Sequence, residues 1–419
     1  MANTLTVQQL NDKFTAAILD SSNFIKESKN WAKDLFKKGA RPGEKATLYF
    51  DGMGETAVVD DVTSSGSMDI SAMNGDVKQY KVDLVVGNAK GKVSWNEVQE
   101  RFEMGTIEAD LIKPTANAMA EKLVRHVIDN SYLRSTGVVV ANKGVSGDSA
   151  NFASLASAVA SLRKMRAGMT LVGHLDSDTM GILSSLPVTA GVNHFDAPSE
   201  KLQEMYGEAA IGTYHRCPMI DEPFMPSFTT AEGEPGSGCT VSAVVSGAGA
   251  YQIGITGIAT AVSTIKAGSV FTIAGVNRCT AAGTPLVNSP YAFVVQEDVT
   301  GVSSAAVVKV LPLYFTGSGY IPTVGVEKIN ANAAVTWLTK ANTTYAVGII
   351  RAREALNWTP IEMLDIRGCE NGSTTVPTMS FHTAFDGNIN DATNTGRLDT
   401  QFVGKIVDPR LVRTVYWEL

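Results

Sequence analysis

The stretch that decides the fold is residues 235–325. It contains VSAVVSG (241–247), YQIGITG (251–257), SVFTIAGV (269–276), YAFVVQEDV (291–299) and AAVVKVLPLYF (305–315). Only Lys266, Arg278, Glu297, Asp298 and Lys309 are charged in it. Short runs of β-branched residues separated by turn residues predict an all-β barrel or sandwich. Residues 235–265 carry no charge, but glycines, serines and threonines break the apolar runs, so they read as strands and turns rather than a membrane span.

The patterns change on either side. Residues 151–168 predict a helix with Phe152, Leu155, Leu162 and Met165 on one face and Gly168 as its stop. MTLVGHL (169–175) follows as a strand, and Asp176 or Ser177 can cap a short helix to Leu186. Upstream, residues 107–135 have a helical pattern of Leu111, Met119, Leu123, Val127 and Leu133, which Pro114 should restart or kink. Strands are expected at TLYF (47–50) and YKVDLVV (80–86), the latter alternating Tyr80, Val82, Leu84, Val86. The Gly-, Ser- and Asp-rich residues between them, with Val58, Val59 and Val62, predict a long projecting hairpin. The first 41 residues are amphipathic and locally basic, and read as a helical arm lying on the body or reaching a neighbouring subunit. Downstream, helical and mixed patterns return at 333–338, TYAVGIIRARE (344–354) and 359–419. A β-domain is therefore inserted in an α+β domain.

The 419 residues suggest two to three structural units. Hydrophobic residues at 44% exclude a disordered chain, and a net charge of −7 gives no bulk basic excess for gripping nucleic acid. Cys217, Cys239, Cys279 and Cys369 lie too far apart for a disulfide framework or a zinc site and fit a reducing compartment. The N-terminus shows no signal-peptide pattern.

The motif search is mostly negative. His126, His174, His194, His215 and His382 form no HxxxH or HExxH. His174 with Asp176 and Asp178, and His215 with Cys217, are the nearest approaches to metal spacing, and a strand end or a shared strand face explains them better. GNAKGKVS (87–94) lacks the spacing and the Ser/Thr of a phosphate loop. GMGETA (52–57) fits a loose dinucleotide fingerprint, but no helix pattern follows it. There is no GxSxG. The acidic neighbours Asp60/Asp61, Asp221/Glu222 and Glu297/Asp298 point to opposite sides if extended and read as solvated charge. No catalytic, cofactor or metal residue is assigned.

The order of these parts resembles the major capsid (coat) proteins of tailed double-stranded-DNA bacteriophages, an α+β fold of the Hong Kong 97 type. In the terms of that family, residues 1–41 look like the N-terminal arm and 42–87 like the extended loop, with its tip at 51–76. Residues 88–149 look like the peripheral domain, its spine helix at 107–135. Residues 150–228 look like the first part of the axial domain. Residues 326–419 look like its second part with a C-terminal peripheral strand. The insert, 229–325, resembles the extra β-barrel of the short-tailed Salmonella-phage coat branch. It follows CPMIDEPFMP (217–226), and STIKAGSVFTIAGVN (263–277) looks like that branch's turn and strand, with Ser269 where Asp is expected. AVGIIRAREALNW (346–358) looks like the axial strand and loop after the insert.

The resemblance implies a non-enzymatic subunit of an icosahedral virion shell, assembled in the host bacterial cytoplasm. It implies pentamers and hexamers of the chain itself, a scaffolding protein, a portal protein at one vertex, and enclosed double-stranded DNA bound without sequence readout, with no membrane partner. Some relatives cross-link the loop through a lysine. Residues 51–76 contain none, so contacts through Asp60, Asp61 and Asp69 to basic groups of the next capsomer are expected instead. The insert is expected to stabilise the subunit. A cellular encapsulating shell, a surface adhesin with a β-module and an unusual hydrolase are the rival readings.

Overall fold

The computed structural model describes residues 12, 23–51, 79–96, 113–135, 137–141, 148–165, 170–180, 210–214, 216–231, 238–258, 264–280, 284–301, 304–316, 322–367, 369–375, 379–388 and 393–419. Its helices are α1 (Asn23–Lys26), α2 (Lys113–Tyr132) and α3 (Asp148–Arg163). The strands of the first half are β1 (Lys45–Asp51), β2 (Gln79–Val85), β3 (Gly87–Asn96), β4 (Val139–Ala141), β5 (Leu171–Leu175), β6 (Ala210–Tyr214), β7 (Cys217–Asp221) and β8 (Ser227–Thr229). Those of the middle are β9 (Cys239–Val241), β10 (Ala250–Thr256), β11 (Thr264–Ile265), β12 (Val270–Cys279), β13 (Pro285–Val294), β14 (Val299–Thr300), β15 (Ala305–Leu313) and β16 (Ala334–Trp337). The last are β17 (Thr344–Ala352), β18 (Leu356–Ile361), β19 (Glu370–Thr375), β20 (Ser380–Asn388), β21 (Thr393–Ile406) and β22 (Val412–Glu418).

Strands dominate, more than an α+β reading suggests. The body holds two sheets. One runs β4-β22-β17-β5-β7-β6, with β8 also on β17. The other runs β18-β21-β20-β19, with β3 also on β21. Helix α2 lies against both. Its buried residues Met119, Ala120, Leu123, Val124, Val127 and Ile128 repeat at three and four, the stripe that packs an amphipathic helix. Pro114 sits in its first turn, where no intrahelical N–H is required. A Cβ on Gly404 would lie 2.9 Å from Trp358 and 3.0 Å from Val127, so a residue without a side chain lets helix and sheet approach there.

The middle strands form a sheet of order β13-β12-β16-β9-β10-β15 with its own apolar cluster, including Ile253, Phe271, Phe293, Val308 and Phe315. Its end strands touch, but among the described residues no ladder joins them. Residues 334–337, expected in a helical or mixed stretch, instead form β16 between β12 and β9. Val335 is buried while Ala334 and Thr336 are exposed, which is a period of two. Residues 344–352, read with the same mixed pattern, are a strand buried along nearly its whole length. The helix expected from residue 151 begins at Asp148, and the strand expected at 169–175 spans Leu171–Leu175.

Candidate assembly site

Three features of the body bear on contact with other copies. The first is the arm. Phe24 and Ile25 of α1 are fully buried against the seven-stranded sheet. Phe24 N–H donates to Glu222 Oε2 at 3.0 Å. The Phe24 ring lies 4.6 Å from the His174 ring and 4.7 Å from the Arg351 guanidinium. Arg351, fully buried on β17, donates to the carbonyls of Phe24 (2.9 Å) and Glu27 (2.8 Å), and Arg353 pairs with the Glu27 carboxylate. Beyond α1 the chain runs beside β18. Lys29 N–H donates to Leu356 O and Trp358 N–H to Lys29 O, both at 3.1 Å, and Trp31 bonds Asn357 Oδ1 and Glu354 O. Buried polar groups of the body thus complete their bonding on the arm, which fixes residues 23–31 in place.

Burial sets the charge states there. It raises the Glu222 carboxyl to about 7, against the opposing pull of the Phe24 and Phe224 amides. It lowers Arg351 to about 9, and, with Arg351 nearby, keeps His174 well below its ordinary value and so neutral. His174 therefore packs beneath the arm and does not join Asp176 and Asp178. Asp176 accepts from Asp178 N–H as a cap, and Ser177 donates to Asp221. Among the described residues no group of three His, Cys, Asp or Glu could hold a metal.

The second feature is the stem formed by β1 and β2. The two strands pair antiparallel from Lys45↔Val85 to Asp51↔Gln79 and with no other strand. Val82, Leu84 and Val86 face a small apolar cluster with Ile361, Val403 and Val407, while Tyr49 is 61% exposed. Thr47 donates to Asp83, and Lys405 reaches the Asp83 carbonyl. The inner end is anchored, and the chain leaves the ladder at Asp51 and returns to it at Gln79. Asp60, Asp61 and Asp69 lie outside the described residues, as do His194 and His215.

The third is a groove of about 630 Å³ between β3 and α2, with Lys90, Lys92, Lys122 and His126 along it and Met119 and Phe402 at its floor. The GNAKGKVS stretch is thus the strand β3, paired along its length with β21, and its lysines are exposed. Cys217, Cys239 and Cys279 are buried free thiols and Cys369 is half-buried.

The arm's anchoring set, Glu222, His174 and Arg351, escaped the sequence reading. Its members are far apart along the chain, and Glu222 beside Asp221 reads as solvated charge. The one available signal is an arginine inside the apolar run AVGIIRA (346–352), where a charge needs a designated partner.

No protein-family model matches this chain, and no curated protein matches it. Solved structures do. The chain is similar to one titled Mycobacterium phage Che8, at 10% identity and a TM-score of 0.45, covering 93% of this chain and 89% of that one. It is similar to the capsid of Ralstonia phage GP4, at 6% identity and 0.46, covering 93% and 86%. It is similar to the head structure of Helicobacter pylori bacteriophage KHP40, at 10% identity and 0.45, covering 91% and 85%. These scores stay below 0.5, so the functional reading rests on the geometry above.

Proposed function

We propose that the chain is a structural subunit of a self-assembling icosahedral shell, of the Hong Kong 97 type, that encloses the double-stranded DNA of a tailed bacteriophage. In this reading pentamers and hexamers form with a scaffolding protein and a portal at one vertex. The observation that carries it is the stem. An isolated two-stranded ladder is marginal in water. This one leads away from an anchored base into residues 52–78, which hold acidic residues and no lysine or arginine until Lys78. Such a projection gains stability when it lies on another copy. The exposed lysines of the β3–α2 groove have the complementary charge. Asp60, Asp61 and Asp69 are the proposed partners of these groups on the next subunit. Each exposed pair contributes about 0–1 kcal/mol, so their effect depends on repetition over many copies. With no lysine in the loop to form an isopeptide, shells should run as monomers in denaturing gels.

The test replaces residues 52–78 by a short linker and follows assembly by sedimentation velocity. The account expects a folded protein, with the far-UV circular dichroism of the body retained, that no longer assembles. Assembly equal to that of the full chain would contradict it.

A further inference from the structure

Where the middle sheet meets helix α3, a cleft of about 190 Å³ is lined by Ser157, Ser161 and Lys164 of the helix side and by Arg278, Asn288 and Ser289 of the β12–β13 hairpin. The ladder between β12 and β13 slips its register between Thr272 and Cys279, and Asn288 adopts a positive φ of 54°. This irregularity widens the hairpin and directs Arg278 into the cleft. The Arg278 Nε and Nη2 both donate to the Ser289 hydroxyl oxygen, the former at 3.0 Å. An oxygen that accepts twice keeps its own hydrogen for a third acceptor. Lys164 is exposed at the rim.

The charge balance is one-sided. Arg413, fully buried, stands behind Ser161 and donates to its hydroxyl at 3.1 Å, and to the carbonyls of Arg410 and Val412. The Arg278 Nη1 and the Arg413 Nε each lie about 3 Å from the point a Cβ on Gly137 would occupy, so the two guanidinium groups are neighbours. Their repulsion and burial depress Arg413 strongly. Asp408, the acid that acts on Arg413, is held by Arg410 through Nε at 3.0 Å and Nη2 at 2.9 Å. No carboxylate lines the cleft. Two neighbouring cations with hydroxyl and amide donors, and no anion to match, form a receptor for an anion.

We propose that this cleft binds a tetrahedral oxyanion of the phosphate class, held by Arg278, Lys164 and the Ser289 hydroxyl, which ties the β12–β13 hairpin to helix α3. Its volume is that of roughly six waters. That admits one phosphate group and excludes a folded peptide. The group can be a small free ion or part of a nucleic-acid backbone.

The probes are inorganic phosphate and a short single-stranded DNA oligonucleotide without terminal phosphates, added to the full chain at constant ionic strength. Isothermal titration should show saturable phosphate binding, one per chain, with a raised melting temperature. Lys164→Met, at the exposed rim, leaves the fold intact and should weaken binding about tenfold, the scale of one charged hydrogen bond. Arg278→Gln should abolish it, and Lys33→Met on the arm should not affect it. Displacement of phosphate by the oligonucleotide would identify a phosphodiester as the ligand. Phosphate binding without displacement would identify a small oxyanion. Absence of saturable phosphate and oligonucleotide binding, or full affinity in both Lys164→Met and Arg278→Gln, would overturn the proposal.

Discussion

The seven-stranded sheet of the body and the six-stranded sheet of residues 239–337 are built from similar residues in opposite ways. Strands β5 and β17 of the body are buried along nearly their whole length, with a sheet neighbour on each side and helices or the arm over their faces. Strand β15 of the middle sheet alternates, with Ala306, Val308 and Val310 buried and Val307 56% exposed. One-sided burial suits antiparallel strands with a wet face, and two-sided burial needs cover from elsewhere in the chain. The body accordingly draws its strands from residues 139–141, 171–175, 210–229, 344–352 and 412–418, and closes over Phe24 of the arm. The middle sheet comes from one continuous segment. The comparison teaches that the body's stability depends on long-range polar ties, and that of the middle sheet on a local apolar core.

The sharpest way to break this comparison is Phe271→Ala. Phe271 stacks 5.1 Å from Phe293 and lies 5.0 Å from Trp337. Truncation of a buried phenylalanine costs about 3–5 kcal/mol. The expected result is an earlier transition in Trp337 fluorescence, with hydrogen exchange in β17 and β22 unchanged. Equal loosening of both sheets would show one cooperative unit.

Arg351→Met tests the ties of the body. It removes the donors to Phe24 O and Glu27 O and leaves both carbonyls in place, at a cost of roughly 3 kcal/mol. Limited trypsinolysis should then cut at Lys26, Lys29 and Lys33 well before the rest of the chain, with the middle sheet still protected. A digestion pattern like that of the parent chain would mean the arm is held by its apolar residues alone.

Glu222→Gln sharpens the comparison through pH. The folded carboxyl is raised from 4.5 to about 7, so stability is full below pH 4.5 and falls as pH rises through 7, where only the unfolded chain ionises freely. The glutamine removes that loss, a gain of up to about 3 kcal/mol at pH 8 and almost none at pH 4. His174 acts in the other direction. Its depressed value makes stability fall as pH drops below 6.5. Urea unfolding of parent and variant from pH 4 to 8 separates the two, and parallel curves would remove Glu222 from the account.

The same contrast explains what was legible in the sequence. The middle strands were visible because turns punctuate alternating runs, and the stem because Val82, Leu84 and Val86 alternate with exposed Asp83 and Val85. The α2 stripe and Pro114 at its start were visible for the same local reason. TYAVGIIRA was not, because a strand buried on both sides has no period to distinguish it from a buried helix. β16 was missed because four residues of alternation are too few, and only its place between β12 and β9 makes it a strand. The arm's anchor was illegible because Phe24, Glu222 and Arg351 meet only after the sheet has formed.

The most direct test of the shell reading is size-exclusion light scattering with negative-stain imaging of the purified full chain, alone and with its candidate scaffolding protein. The account predicts closed megadalton shells of uniform diameter. A protein that stays monomeric or dimeric under both conditions would contradict it.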